Sequence, residues 1–97
     1  MTFLIDKLEF LSWLQRNQDK VVSDARTNYE ANCPIAKFLK YKGYKDVIVY
    51  HDGIHVGCEI HDLEEWVLHF IKTFDKLTDG VKRVKGSRVL ELMRSGQ

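Results

Sequence analysis

The chain has 97 residues, a length that predicts one domain spanning residues 1–97. A net charge of +1 excludes the strong overall field that draws very basic proteins to nucleic acid. Two cysteines and an N-terminus without signal character predict a reducing, cytoplasmic setting, and apolar runs too short to span a bilayer predict no membrane association.

Residues 3–17 predict the first helix, because apolar side chains recur there at helical spacing. The predicted buried stripe comprises Leu4, Leu8, Leu11, Trp13 and Leu14. Asp6 followed by Glu9 has the spacing of a capping box, which would start the helix at Lys7. The polar, aperiodic residues 17–32 predict a long loop, a kind of segment that is often functional in small domains.

Cys33 and Pro34 predict the start of a second helix. Proline is favoured at the first helical position because its missing N–H would be unpaired there anyway, and this makes Cys33 the N-cap. The apolar face would comprise Ile35, Phe38 and Leu39, with Lys37 and Lys40 pointing outward and Gly43 ending the helix.

The position of Cys33 allows two further roles besides capping. A helix N-terminus lowers the pKa of a thiol, so Cys33 is a candidate nucleophile. A Cys–His enzyme also needs a base beside the thiol, and none of the four histidines has a sequence signature that places it there. A structural or capping role is therefore favoured, and a thiol-dependent enzyme or redox switch at Cys33 is kept as an alternative.

The stretch DVIVYHDGIHVGCEI predicts a β-hairpin, since two runs rich in Val and Ile flank Asp52-Gly53, a favoured pair for a type I′ turn. This turn predicts the pairs His51–Ile54, Tyr50–His55, Val49–Val56 and Val47–Cys58. The predicted buried face comprises Val47, Val49, Ile54, Val56 and Cys58. A hairpin alone is marginal in water, so helices must cover this face.

Four potential zinc ligands fall within eleven residues, namely His51, His55, Cys58 and His61. Zinc needs a tetrahedral set, but side chains alternate along strands and would put His55 on the opposite face from His51 and Cys58. We therefore predict neither a metal site nor another cofactor.

Asp62 and Glu65 have capping-box spacing and predict the start of the strongest helix of the chain. Its apolar positions are Leu63, Trp66, Val67, Phe70, Ile71, Phe74 and Leu77, and residues 78–80 would end it. Ser87 would cap a short final helix that carries Val89, Leu90 and Met93. These elements predict an α+β fold of three to four helices packed on a two-stranded antiparallel β-hairpin, with a third short strand as an option.

Charge is segregated along the chain. Residues 33–45 carry four lysines and no acid, residues 46–65 carry six acids and no lysine or arginine, and residues 82–88 are basic again. Such segregation predicts opposite charged surfaces that steer and select partners. The candidate binding residues are Lys37, Lys40, Lys42, Lys45, Glu64, Glu65, Lys82, Arg83, Lys85 and Arg88. No Gly-rich phosphate loop, H-E-x-x-H or G-x-S-x-G motif is present, so we predict no enzyme activity.

Three segments, VVSDAR, NCPIAKFLKYKG and LEEWVLHFIKTFD, resemble a family of small, largely uncharacterised proteins of bacteria and their phages. The shared features are an F-x-x-W-L helix at Phe10, Trp13 and Leu14, a C-P-I/L-A-x-F/Y-L helix from Cys33, and a W-x-x-x-F-I helix from Trp66. The matching positions are mainly caps and core positions, so the resemblance implies a fold and brings no active site. Through a class analogy with anti-CRISPR proteins it also implies a compact protein that acts by binding.

The leading functional hypothesis is a non-enzymatic binding module or inhibitor that docks on a host or defence complex through charged surfaces. The alternative is a nucleic-acid-binding accessory protein that uses the basic residues. The oligomeric state stays open, and a homodimer is one option, because unpaired strand edges of the hairpin invite pairing.

Overall fold

The computed structural model describes residues 2–24, 33–77 and 83–95, except the side chains of Leu77 and Ser95. The elements in chain order are β1 (Thr2–Phe3), α1 (Lys7–Arg16), β2 (Val21–Asp24), α2 (Pro34–Tyr41), β3 (Val47–Val49), β4 (Ile54–Val56), β5 (Glu59–Leu63), α3 (Glu65–Leu77), β6 (Arg83–Lys85) and α4 (Gly86–Ser95). The predicted α+β class with up to four helices is confirmed. The single hairpin is wrong, because the described strands form a four-stranded sheet and a separate two-stranded sheet.

The four-stranded sheet has the order β1-β5-β4-β3. The third strand that the sequence allowed is β5, which pairs with β4 on one side and runs parallel to β1 on the other. Asp62 lies within β5 opposite Thr2, so its predicted role as a helix cap is wrong. Helix α3 begins at Glu65 instead, and the carbonyl of Glu64 accepts from the N–H groups of Val67 and Leu68.

The hairpin of β3 and β4 forms in a register different from the predicted one. Val49 pairs with Ile54, and the N–H of Tyr50 donates to the carbonyl of Gly53 at 2.8 Å, so the turn centres on His51 and Asp52. The following turn shortens β4, because Gly57 adopts φ +62° and reverses the chain towards β5. The predicted burial holds for Val47, Val49 and Ile54, but it fails for Cys58, which is exposed.

Helix α1 confirms the predicted cap. The Asp6 carboxylate accepts from the N–H groups of Leu8 and Glu9 at 2.9 and 3.2 Å, and the helix begins at Lys7. The predicted stripe is wrong at Leu4 and Leu8, which are 77% and 74% exposed. Because the residues before Asp6 belong to β1 and its connection, the buried face is set by the later positions Phe10, Trp13 and Leu14.

The two-stranded sheet lies where the sequence predicts a loop. Residues 21–24 form β2, which pairs antiparallel with β6, so the loop prediction is wrong there, while residues 25–32 lie outside the described residues. Helix α4 follows β6 directly and begins at Gly86, so Ser87 is inside the helix and is not its cap. The predicted stop at residues 78–80 also lies outside the described residues.

Phe10 occupies the centre of the core. Its ring lies 5.3 to 6.1 Å, centroid to centroid, from four other aromatic rings, those of Trp13, Phe38, Trp66 and Phe70. These rings belong to α1, α2 and α3, so one side chain joins three helices. Among the described residues, no helix has the length and apolar character of a membrane span.

Candidate functional site

The outer face of the four-stranded sheet is a candidate interaction surface. Ile48, His55 and Ile60 are direct partners across three strands, so their side chains lie on one face. Thr2 and Asp62 pair on the same face, two positions along β5 from Ile60. We call these five residues the open sheet face. Ile60 is 72% exposed, and it shares this face with a second isoleucine, Ile48, on the far side of His55.

Acidic groups lie on and beside the open sheet face. Asp62 belongs to it, and the exposed Asp46 and Asp52 lie before β3 and in the first hairpin turn, whereas Glu59 alternates with Ile60 and lies beside His61 on the inner face. Residues 46–65 contain no lysine or arginine, and within this range Glu59 lies 3.2 Å from His61 and Asp52 lies 4.0 Å from His51. The ring of Tyr50 meets that of His55 edge-on at 5.0 Å. This surface therefore combines apolar and aromatic groups with negative charge.

The two predicted acidic binding residues differ in role. Glu65 is exposed in the first turn of α3. Glu64 is half-buried, and its Oε1 accepts from the backbone N–H of Ile5 at 2.6 Å. This bond holds the connection between β1 and α1 against the start of α3, so Glu64 has a structural function that its sequence position did not indicate.

Two of the predicted lysines, Lys37 and Lys40, lie in α2, and the other two, Lys42 and Lys45, lie after it. They differ in exposure and in their partners. Lys40 and Lys45 are exposed, whereas Lys37 is half-buried. Lys42 donates to both carboxylate oxygens of Glu9 at 2.7 and 2.8 Å, and this hydrogen bond raises the pKa of Lys42. Lys42 is thus paired within the molecule, and α2 offers fewer available charges than the sequence predicted.

A second group of predicted basic residues lies on β6 and α4. Arg83 and Lys85 are exposed and flank the buried Val84, so they point to the same side of β6. Arg88 lies 3.6 Å from Glu91 in an exposed ion pair. Lys82 lies outside the described residues. Helix α2 and strand β6 both adjoin β2, so the two basic groups are separated by one strand.

Cys33 is the N-cap of α2, as predicted, and its Sγ accepts from the N–H of Ala36 at 3.4 Å. Burial raises the pKa of this thiol from 9.0 to about 11, although the N–H groups of Ala36 and Ile35 act in the opposite direction. Burial therefore outweighs the helix N-terminus, and the thiol is protonated at neutral pH.

Cys33 lines a cavity of about 180 Å³ together with Asp75 and His51, a histidine that the sequence did not place near it. The His51 side chain is 84% exposed and its Nε2 lies 4.0 Å from Asp52. Proximity in the fold thus brings a thiol, a carboxylate and an imidazole to one cavity. The exposed imidazole and the protonated thiol do not form the hydrogen-bonded pair that thiol catalysis uses.

The other predicted metal-site candidates are separated by the sheet. His55 lies on the open sheet face, whereas His61 pairs with Ile54 on the inner face and lies 3.2 Å from Glu59. The described residues contain no group of three His, Cys, Asp or Glu side chains that could hold a metal ion.

The open sheet face was missed in the sequence, although a signal for it exists. The spacing of Asp62 and Glu65 assigned this segment to a helix start and hid the alternation in β5. Leu63 is buried, so Ile60, three positions earlier in an alternating strand, must point outward.

Comparison of the chain with protein-family models, curated proteins and solved structures found no match. The resemblance to small bacterial and phage proteins is therefore an expectation from the sequence motifs alone.

Proposed function

We propose that the chain is a non-enzymatic, cytoplasmic protein-binding module that docks through the open sheet face onto a basic surface of a partner protein. The observation that carries this proposal is Ile60, a 72% exposed aliphatic side chain between His55 and Asp62 on a sheet whose strands contain acids but no lysine or arginine. An apolar centre surrounded by charge is the usual arrangement of protein interfaces.

The apolar and charged groups would make different contributions. Full burial of an aliphatic side chain such as Ile60 contributes about 1.5–3 kcal/mol, which is a large share of the free energy of a moderate-affinity complex. The surrounding acids would mainly accelerate association and reject acidic partners. The proposed partner surface is therefore basic at its rim and offers an apolar recess at its centre.

A finer proposal concerns the biological role. The motif resemblance to phage and bacterial proteins, together with the small single domain, supports an inhibitor of a host or defence complex, as in the anti-CRISPR class. In this role the open sheet face would occupy a basic surface that the target normally uses for another ligand.

The test is a tagged pull-down of the full chain from nuclease-treated bacterial lysate with two matched variants. Ile60→Lys removes the apolar centre and places a cation against a basic partner. Leu8→Lys makes the same change at an equally exposed leucine on α1. We expect a stoichiometric protein partner that Ile60→Lys weakens by about tenfold or more and that Leu8→Lys retains.

The opposite pattern, with loss in Leu8→Lys and retention in Ile60→Lys, would contradict the open sheet face as the binding surface. Recovery of partners only without nuclease would contradict direct protein binding. A second copy of the chain as the partner would appear as a dimer in light scattering, and Ile60→Lys distinguishes a dimer built on this face from one built on a strand edge.

Nucleic-acid binding is the second candidate, favoured by the shared orientation of Arg83 and Lys85 on β6. Phosphate contacts predict an affinity that falls steeply with salt. The double variant Arg83→Gln with Lys85→Gln should reduce the salt slope by about one per residue removed from a phosphate, whereas Lys76→Gln on α3 should leave it unchanged. Absence of binding in low salt would exclude this function.

A further inference from the structure

A groove of about 530 Å³ runs between the start of α1, the length of α3 and the end of α4. Its floor is formed by Phe70 and Met93, which are buried, and its walls by Trp66 and Leu92, which are half-buried. The volume lies within the range of about 300–1,000 Å³ that is usual for small-molecule sites. The groove lies on other elements than the open sheet face, so its role is independent of the proposed function.

Two opposite charges lie at one end of this groove. The Lys7 ammonium is 5.8 Å from the centroid of the Trp66 ring, and Glu65 is the residue directly before Trp66. Neither Lys7 nor Glu65 forms an ion pair with any residue that the structure describes. The groove is lined also by His69 and Thr73, and at one end it has a lysine and a glutamate that both lack an ion-pair partner in the described part of the chain.

We infer that this groove binds a free α-amino acid with a large apolar side chain. Its carboxylate would pair with Lys7, its ammonium with Glu65, and its side chain would lie against Trp66 and Phe70. A ligand with only a carboxylate would be repelled by Glu65, and a ligand with only an amine would be repelled by Lys7. The pair of charges thus selects a zwitterion, and the apolar floor selects its side chain.

The test is a titration of the full chain with three matched ligands, followed by the indole N–H signals in NMR spectra. L-Phenylalanine carries both charges, 3-phenylpropionate lacks the amine and phenethylamine lacks the carboxylate. We expect phenylalanine to shift the signal of Trp66 saturably and to leave that of Trp13, which faces the core elsewhere, nearly unchanged. Each single-charge ligand should bind about two- to fivefold more weakly, as for exposed ion pairs.

Two variants test the charges separately. Lys7→Gln should reduce phenylalanine affinity about two- to fivefold and abolish its advantage over phenethylamine, while Glu65→Gln should abolish its advantage over 3-phenylpropionate. Lys72→Gln, an exposed site on α3 outside the groove, is the control and should bind as the parent does. Glu65 and Lys72 are exposed and Lys7 is half-buried, and each change keeps a polar side chain of similar length, so the fold should persist, which circular dichroism checks.

Three results would overturn the inference. The first is equal affinity for phenylalanine and 3-phenylpropionate, which would mean that the amine is not recognised. The second is unchanged affinity in both Lys7→Gln and Glu65→Gln. The third is absence of a saturable shift at Trp66. Loss of partner binding in Ile60→Lys does not depend on these results, so the two proposals fail separately.

Discussion

Cys33 shows two opposing effects on a single side chain. The N–H groups at the start of α2 favour the thiolate, but the side chain is buried, and desolvation favours the neutral thiol more strongly. The helix N-terminus can be predicted from the sequence, because Cys33-Pro34 indicates the start of α2. The burial of the thiol depends on the residues that the fold places around the sulfur. The balance makes Cys33 a structural cap with an elevated pKa and disfavours the thiol-dependent alternative.

The elevated pKa predicts a loss of stability in alkali. Below pH 9 the thiol keeps its proton in both the folded and the unfolded chain. Between about pH 9 and about 11 only the unfolded chain ionises, so the free energy of unfolding falls, by about 2 to 3 kcal/mol in total. Cys33→Ser keeps a capping atom and removes the titrating group, so denaturation curves at pH 8 and 11 should differ less in the variant. An equal loss in both proteins would contradict this assignment.

Alkylation of the two cysteines provides an internal comparison. Cys58 is exposed and Cys33 is buried, so iodoacetamide at pH 7.5 should label Cys58 at an ordinary rate and Cys33 only when the chain unfolds. Peptide mass spectrometry after short labelling times measures both rates in one sample. Faster labelling of Cys33 than of Cys58 would support the thiol-dependent alternative.

At the scale of elements, the junction of β6 and α4 depends on the absence of a side chain. Gly86 is buried, its N–H donates to the carbonyl of Lys20 at 2.9 Å, and it lies against the C-terminal end of α1. A Cβ atom at this position would meet the backbone of Asn17, with its carbonyl carbon 2.7 Å away. The close approach lets α4 pack along α1.

Gly86→Ala should therefore destabilise the protein, although alanine normally favours a helix. Backbone atoms must move to admit the methyl group, and such overpacking costs about 1–3 kcal/mol. Chemical denaturation measures the change. Ser87→Ala, at the next and exposed position, is the control and should change stability by less than about 0.5 kcal/mol. Equal stability of the two variants would contradict the close approach of Gly86 to Asn17.

At the scale of the whole molecule, the core is organised around one aromatic side chain. Phe10 is completely buried and contacts rings from α1, α2 and α3, so its removal would loosen three helices at once. Small domains have only about 5–15 kcal/mol of net stability, so a single central position can determine whether the chain folds.

Phe10→Ala should lower the free energy of unfolding by about 3–5 kcal/mol because it leaves a cavity that the helices cannot close. Leu8→Ala also truncates a large apolar side chain of the same helix, but at an exposed position, and should change stability by less than about 0.5 kcal/mol. Urea denaturation followed by tryptophan fluorescence compares the two. A large loss of stability in Leu8→Ala would instead support the burial of Leu8 that the sequence predicted.

The features that could be read from the sequence are those in which the interacting groups are close along the chain. The cap at Asp6 joins residues two and three positions apart, and the cap at Cys33 joins residues three positions apart. Helical spacing from Trp66 to Phe74 likewise predicted the buried face of α3. The charge segregation that defines the candidate binding residues is also a property of the sequence itself, although their role in binding stays a prediction.

The tertiary structure alone decided the features that join distant residues. Thr2 pairs with Asp62, and Val21 pairs with Lys85. Strands of two to five residues have too few alternating positions for such pairing partners to be predicted from the sequence. These pairings turned a predicted loop into β2, moved the start of α3 and exposed Ile60 on the open sheet face. The sequence by itself therefore determined the presence of the helices, the caps of α1 and α2 and the distribution of charge. Long-range strand pairing decided the sheets and the open sheet face, and packing between distant helices decided the groove, because the energy of both depends on which distant surfaces meet.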